Sequence, residues 1–184
     1  MEIEVKYAVT DFASIEAALN AKGVTFQPNR HDADYYFNAP DRDFAQTDEA
    51  MRVRSIGEKN FVTYKGPKID RETKTRLEIE VPLADGEEVA ADFRQLLTHL
   101  GYRPVAVVRK RRRIAEFTRA GFDMQMTLDD VEGVGRYAEL EVVAEESRYE
   151  AAKAAVLSAA AEQGQTEQER RSYLQMMLEK QGGQ

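Results

Sequence analysis

Apolar and charged positions alternate every second residue through most of this chain, and the alternation starts at residue 2. Glu2, Glu4 and Lys6 fall on one side of an extended segment, and Ile3, Val5 and Tyr7 on the other. The same period predicts strands over residues 2–9, 34–38, 50–55, 60–66, 73–81, 104–118, 122–131 and 136–144. Two tight connections stand out between them. The run Arg119, Ala120, Gly121 reads as a hairpin turn, and so does Glu132, Gly133, Val134, Gly135, where the glycines admit positive φ.

Helical spacing interrupts the strands over residues 11–22, 87–100 and 148–163. Phe12, Ile15 and Leu19 share a face of the first, and Val89, Phe93, Leu96, Leu97 and Leu100 form the stripe of the second. A fourth helix is expected to open on the capping-box pattern from Thr166 to Glu169 and to continue through Leu174, Met177 and Leu178. Runs of strands broken by a few helices indicate an antiparallel α+β fold. With no repeat, linker or composition break, one domain is expected over residues 1–184, including a helical segment at about 147–181.

The charged rows change the picture when they are taken together. Arg52 and Arg54 oppose Val53; Lys65 shares a face with Thr63; Arg76, Glu78 and Glu80 oppose Leu77, Ile79 and Val81. Asp129 follows Gln125 and Thr127 along one face, and Glu139 and Glu141 oppose Leu140 and Val142. In the basic run 109–113 either face is charged: Lys110 and Arg112 make one pair, Arg111 and Arg113 the other. One account is an open sheet with its charges in water. The other is a closed barrel with the charged rows inside and amphipathic helices covering the apolar rows outside. Three strands carry carboxylates two residues apart (Glu2/Glu4, Glu78/Glu80, Glu139/Glu141), about 7 Å along one face. Such pairs repel unless a hard divalent cation lies between them. Rows of Arg and Lys beside them suit an anion with several phosphates. A polyphosphate–Mg²⁺ complex would use both surfaces.

Composition narrows the classes. The net charge is -7, against a nucleic-acid binder held by phosphate contacts. There is no cysteine, so no disulfide framework or thiolate metal site. No apolar run approaches the roughly 18 residues of a membrane span, and no signal-peptide pattern opens the chain, so a cytoplasmic protein without a membrane partner is expected. His31 and His99 lack companions and are read as structural or solvated.

The ordered segments EIEVK, DADYYFNAP, EAMRVRS, VTYKGP, TRLEIEV, LGYRPVAVVRKRR and LDDVEGVGRYAELEV resemble the CYTH superfamily, the triphosphate tunnel metalloenzymes, over nearly the whole chain. The last of these and RRSYLQMML resemble elements of the class IV adenylyl cyclase branch. The resemblance implies an eight-stranded antiparallel β-barrel or tunnel, with a charged interior, that binds a triphosphate and Mg²⁺ or Mn²⁺. By motif, Glu2, Glu4, Glu139 and Glu141 match metal-binding acids. Lys6, Arg54, Lys65, Lys110 and Arg112 match bases that hold phosphates, and Asp129 matches an acidic position near the reacting centre. Arg52, Arg76, Glu78 and Glu80 match tunnel-wall positions, the acids counted as further metal ligands and the arginines as further phosphate contacts. Lys65, Lys110 and Arg112 would stabilise transition-state charge. Asp129 would orient or deprotonate the nucleophile, or brace a lysine.

Three functions fit: a cyclase converting ATP to cyclic AMP and pyrophosphate, a hydrolase of thiamine triphosphate or inorganic tripolyphosphate, and a non-catalytic polyphosphate or nucleotide-binding module. The number of carboxylates weighs against the third, and the branch resemblance ranks the cyclase first. The branch also implies a homodimer, without marking an interface here.

Overall fold

A computed structural model describes residues 2–69, 73–164 and 167–182. The strands are β1 (Glu2–Ala8), β2 (Arg30–Asn38), β3 (Ala50–Ile56), β4 (Lys59–Lys65), β5 (Glu78–Leu83), β6 (Arg103–Arg119), β7 (Phe122–Val131) and β8 (Gly135–Val143). The helices are α1 (Ala13–Asn20), α2 (Phe44–Thr47), α3 (Glu87–His99), α4 (Tyr149–Glu162) and α5 (Tyr173–Gly182). All eight strands join one antiparallel sheet in the order β1-β8-β7-β6-β2-β3-β4-β5, curled into a half-barrel.

The apolar rows face outward into helices. Ile3, Val5 and Tyr7 join Met124, Met126, Leu128, Ala138, Leu140 and Val142 in a core closed by Ile15 and Leu19 of α1 and the alanine-rich face of α4. Small side chains at Ala152, Ala155, Ala159 and Ala160 let α4 lie close to the sheet, around the fully buried Val156. Leu97 and Phe93 of α3 cover Phe37 and Val53. The stripe expected of α3 is rotated: Ala90 and Leu97 are buried, while Leu96 and Leu100 are exposed. The helical jacket also leaves Leu77, Ile79 and Val81 of the β5 region exposed.

The sheet edges are stitched by irregular segments. Arg76 bridges Glu2, and the amide of Lys74 donates to the carbonyl of Glu4 at 2.9 Å. Further along β1, Gln168 bridges Tyr7, and the amide of Glu169 donates to the carbonyl of Lys6 at 2.7 Å. These contacts explain two departures from the sequence reading. The strand expected from residue 73 starts at Glu78, because 73–76 turns toward β1. The expected fourth helix starts only at Tyr173, because 168–169 pairs with β1 and Glu169 folds onto the amide and guanidinium of Arg171. Thr166 itself lies outside the described residues. β5 runs through Pro82 because its outer edge needs no ladder donor.

Both predicted turns are present, with Ala120 at φ 51° and Gly121 at 76°, the double positive φ that a tight hairpin requires. Helix α5 packs Tyr173 and Met176 against Tyr36, Val108, Val131 and Tyr137, which share the inner face of the sheet with the charged rows. It therefore fills one end of the half-barrel.

Candidate active site

The charged rows point into the concave side. Glu4, Lys6, Arg52, Arg54, Lys65, Arg76, Lys110, Arg112, Asp129 and Glu139 are all buried. All of them but Asp129 line a cavity of about 880 Å³, and Asp129 lies behind Arg112. The basic run is placed unambiguously: Lys110 and Arg112 face in, whereas Arg111 pairs with Asp130 at 2.6 Å on the surface and Arg113 reaches Glu16 of α1.

One wall is acidic. Register places Glu4 of β1 directly opposite Glu141 of β8, an arrangement that costs stability between like charges. Carboxylate oxygens of Glu2, Glu4 and Glu141 lie within 4.8 Å of one another. Burial pushes the Glu141 carboxyl up to about 8, helped by the charges of Glu2 and Glu4. Burial likewise raises Glu2 to about 7 against the opposing pull of Lys65. Burial acts in the same direction on Glu4, but the ammonium groups of Lys74, Lys65 and Lys6 outweigh it and hold that carboxyl well below its usual range. Three oxygen donors that repel one another are a fitting ligand set for a hard divalent cation. The other predicted metal acids are engaged elsewhere. Glu139 accepts from Arg112 at 2.9 Å, Glu78 pairs with Lys65 and Arg76, and Glu80 is exposed and accepts from Thr63 at 2.9 Å.

The opposite wall is basic and braced. Asp34, 1% exposed, accepts from Arg54 at 2.6 and 2.9 Å and from Lys110 at 3.2 Å, with Arg52 at 3.6 Å. Asp32, also buried, lies 3.0 Å from Arg30. Arg112 grips both oxygens of Asp129, at 2.7 and 2.5 Å. Burial loosens the proton of Lys110, to about 8, and the Arg112 charge adds to this. Lys6 is loosened to about 7 by burial and by Lys74. Lys6 and Lys110 lie 4.2 and 5.3 Å from the ring centre of Tyr173, which caps them from α5. The buried Nε of Arg52 has no hydrogen-bond partner among the described residues. Crowded, partly unsatisfied cations of this kind fit an anion with several oxygens.

Sequence reasoning gave no role to Asp32, Asp34 or Lys74. The spacing of Asp32 and Asp34 matches that of the other charged pairs, but with the strand started at residue 34 Asp32 fell in a loop. Lys74 sits outside any regular strand, so no period marks it. His31 and His99 are exposed and take no part. No helix among the described residues is long and apolar enough to cross a membrane.

The sequence pattern of the CYTH domain matches residues 1–173. A putative adenylate cyclase of Methanocaldococcus jannaschii is 42% identical over 141 residues, covering 77% of this chain and 76% of that protein. The adenylate cyclase CyaB of Aeromonas hydrophila is 30% identical over 150 residues, covering 79% and 70%. The structure of the PH1819 protein from Pyrococcus horikoshii superposes with a TM-score of 0.84 at 36% identity, covering 98% and 99%.

Proposed function

The chain belongs to the CYTH domain family, and from that premise we propose that it converts ATP to cyclic AMP and pyrophosphate with Mg²⁺ or Mn²⁺. The observation that carries this reading is one cavity with the Glu2–Glu4–Glu141 triad on one wall and the bases on the other. The cyclase names of the two curated relatives favour cyclisation over hydrolysis.

Glu2, Glu4 and Glu141 would hold the divalent cation, which would neutralise charge on the triphosphate and on the departing pyrophosphate. The chain's own groups do the rest. Lys65, Lys110, Arg52, Arg54 and Arg112 align the phosphates so that the ribose 3′-hydroxyl, releasing its proton to water, attacks the α-phosphorus in line with the α–β bridging oxygen, which leaves with pyrophosphate. Arg76 holds Glu78 beside Lys65. Asp129, fully buried with both oxygens on Arg112, braces that arginine and is too acidic for a useful base. Tyr173 and Lys6 close the α5 end, which sets how far the phosphate chain can enter.

A phosphorus-31 NMR time course with ATP and, separately, inorganic tripolyphosphate tests this. Pyrophosphate and cyclic AMP from ATP are expected. Orthophosphate from tripolyphosphate with ATP untouched would make the protein a triphosphatase, and binding without turnover of either would make it a binding module.

Two further results are expected. Lys65→Ala should weaken triphosphate binding by about 2 kcal/mol, near thirtyfold in Kd, and flatten its salt dependence, as isothermal titration at two ionic strengths would show. An unchanged affinity and salt slope would place Lys65 outside the phosphate path. Mn²⁺ affinity should rise with pH. Below about 7 both Glu2 and Glu141 must release a proton to bind metal; between about 7 and 8 Glu141 alone must do so; above 8 the dependence ends. Titrations in buffers of different ionisation enthalpy would report those protons, and a flat affinity from pH 6 to 8.5 would contradict the triad.

A further inference from the structure

Glu4 differs from the other members of the triad: a lysine already sits on it. Lys74 Nζ lies 2.7 Å from Glu4 Oε1, whereas Glu2 and Glu141 have no ion pair within 4 Å among the described residues. Lys74 is only 7% exposed, and its backbone is tied to β1 through the carbonyl of the same glutamate. We propose that Lys74 is a tethered counter-ion that neutralises Glu4 in the metal-free protein and passes to the phosphate chain when a divalent cation takes Glu4. It would thus be a positioning residue that couples metal entry to triphosphate capture. This rests on the reading of Glu2, Glu4 and Glu141 as metal ligands.

Three observations support the exchange. Lys74 Nζ holds Glu4 Oε1, and its positive charge repels a cation entering the triad, so metal and ammonium compete for Glu4. The displaced ammonium need not travel far: the amide of Lys74 stays anchored, and four flexible side-chain carbons let the head group swing across the cavity. The ground for its arrival is prepared, since Lys74 lines the same cavity as Lys6, Lys65, Lys110 and Arg112. Once the metal has claimed Glu4, the remaining acid that acts on Lys74 is Glu139, which already accepts from Arg112 at 2.9 Å, and phosphate oxygens supply the missing negative charge. A lysine that merely braced Glu4 would need no such second partner.

The exchange predicts effects of opposite sign, which a structural role would not produce. In Lys74→Met, Mn²⁺ alone, followed by electron paramagnetic resonance, should bind about fivefold tighter, because its competitor is gone. Inorganic tripolyphosphate, titrated calorimetrically at saturating Mn²⁺, should bind about tenfold weaker, because one phosphate partner is gone. Lys74→Arg should restore the wild-type order of both. If Lys74→Met does not fold, Lys74→Gln carries the same test, since it removes the charge and keeps a donor to Glu4. Parallel weakening of both ligands, or an unchanged Mn²⁺ affinity, overturns the proposal. Absence of saturable Mn²⁺ binding by the wild type would overturn the triad reading first and this inference with it. Neither readout depends on turnover, so the outcome is independent of which triphosphate reaction the protein performs.

Discussion

Glu141→Gln is expected to make the metal-free protein more stable and to abolish the proposed metal-dependent turnover. The two effects share one cause. Glu141 is held opposite Glu4 by strand register, with Gln125 donating to it at 2.5 Å and no cation paired with it among the described residues. Its carboxyl is raised from an ordinary 4.5 to about 8, by burial first and then by Glu2 and Glu4. For an acid whose folded value is raised, the favourable contribution is complete below the unfolded value and is lost as pH climbs to the folded value. Between pH 4.5 and 8 the metal-free protein therefore loses stability at this site, and at pH 8 the loss is largest. Glutamine has no proton to lose and keeps the shape. A gain of about 2 kcal/mol, allowing for a partly wetted site, would raise Tm by about 4–8 °C at pH 8. Removing one of three charged ligands should cut metal affinity by more than about a hundredfold and turnover with it. Calorimetric melting without metal and a Mn²⁺ titration read the two arms. A variant as metal-sensitive as the wild type would move the metal elsewhere.

Asp34→Ala carries the second large effect, and it falls on the fold. Asp34 is the shared anion of Arg54, Lys110 and Arg52, deep in the basic wall. Burial opposes its ionisation, yet Lys110, Arg52 and Arg54 together hold its carboxyl well below the usual range. For an acid whose folded value is depressed, stability is present above the unfolded value of 3.8 and is lost as pH falls toward the folded one. Deleting it at neutral pH strands three cations and should cost about 3–5 kcal/mol, near 10 °C or more in Tm. Tripolyphosphate should return part of that loss, since its oxygens can pair with the same groups. A Tm within 2 °C of the wild type would show that the basic wall is solvated and not held by this aspartate.

Much of the architecture was legible because the sheet is two-faced. Where one face meets helices and the other encloses charge, alternation is strict, and every one of the eight expected strands is present. Even the concave placement of the charges followed from so many rows being blocky and mutually complementary. Legibility fell where the chain leaves the period. Helix α2 is a single turn, too short to show a helical pattern. Residues 73–76 keep the alternation in sequence but turn to stitch β1, so the strand reading ran too long there. Asp32 lay before the expected start of its strand at residue 34, so its two-residue spacing from Asp34 was not counted among the charged pairs, although the strand begins at Arg30. Site detail was lost at the level of register. From spacing alone Glu139 and Glu141 look equivalent, yet register puts Glu141 across from Glu4 and Glu139 within reach of Arg112. The same loss explains Lys74, which is brought to Glu4 by a backbone contact between segments 70 residues apart.

The most direct measurement is anomalous diffraction from crystals soaked with Mn²⁺ and tripolyphosphate. A peak is expected at bonding distance from carboxylate oxygens of Glu2, Glu4 and Glu141, with phosphate density running from it toward Lys65, Lys110 and Arg112. A Mn²⁺ peak away from those three glutamates, or phosphate density outside the half-barrel, would contradict the assignment of this cavity as the site of triphosphate chemistry.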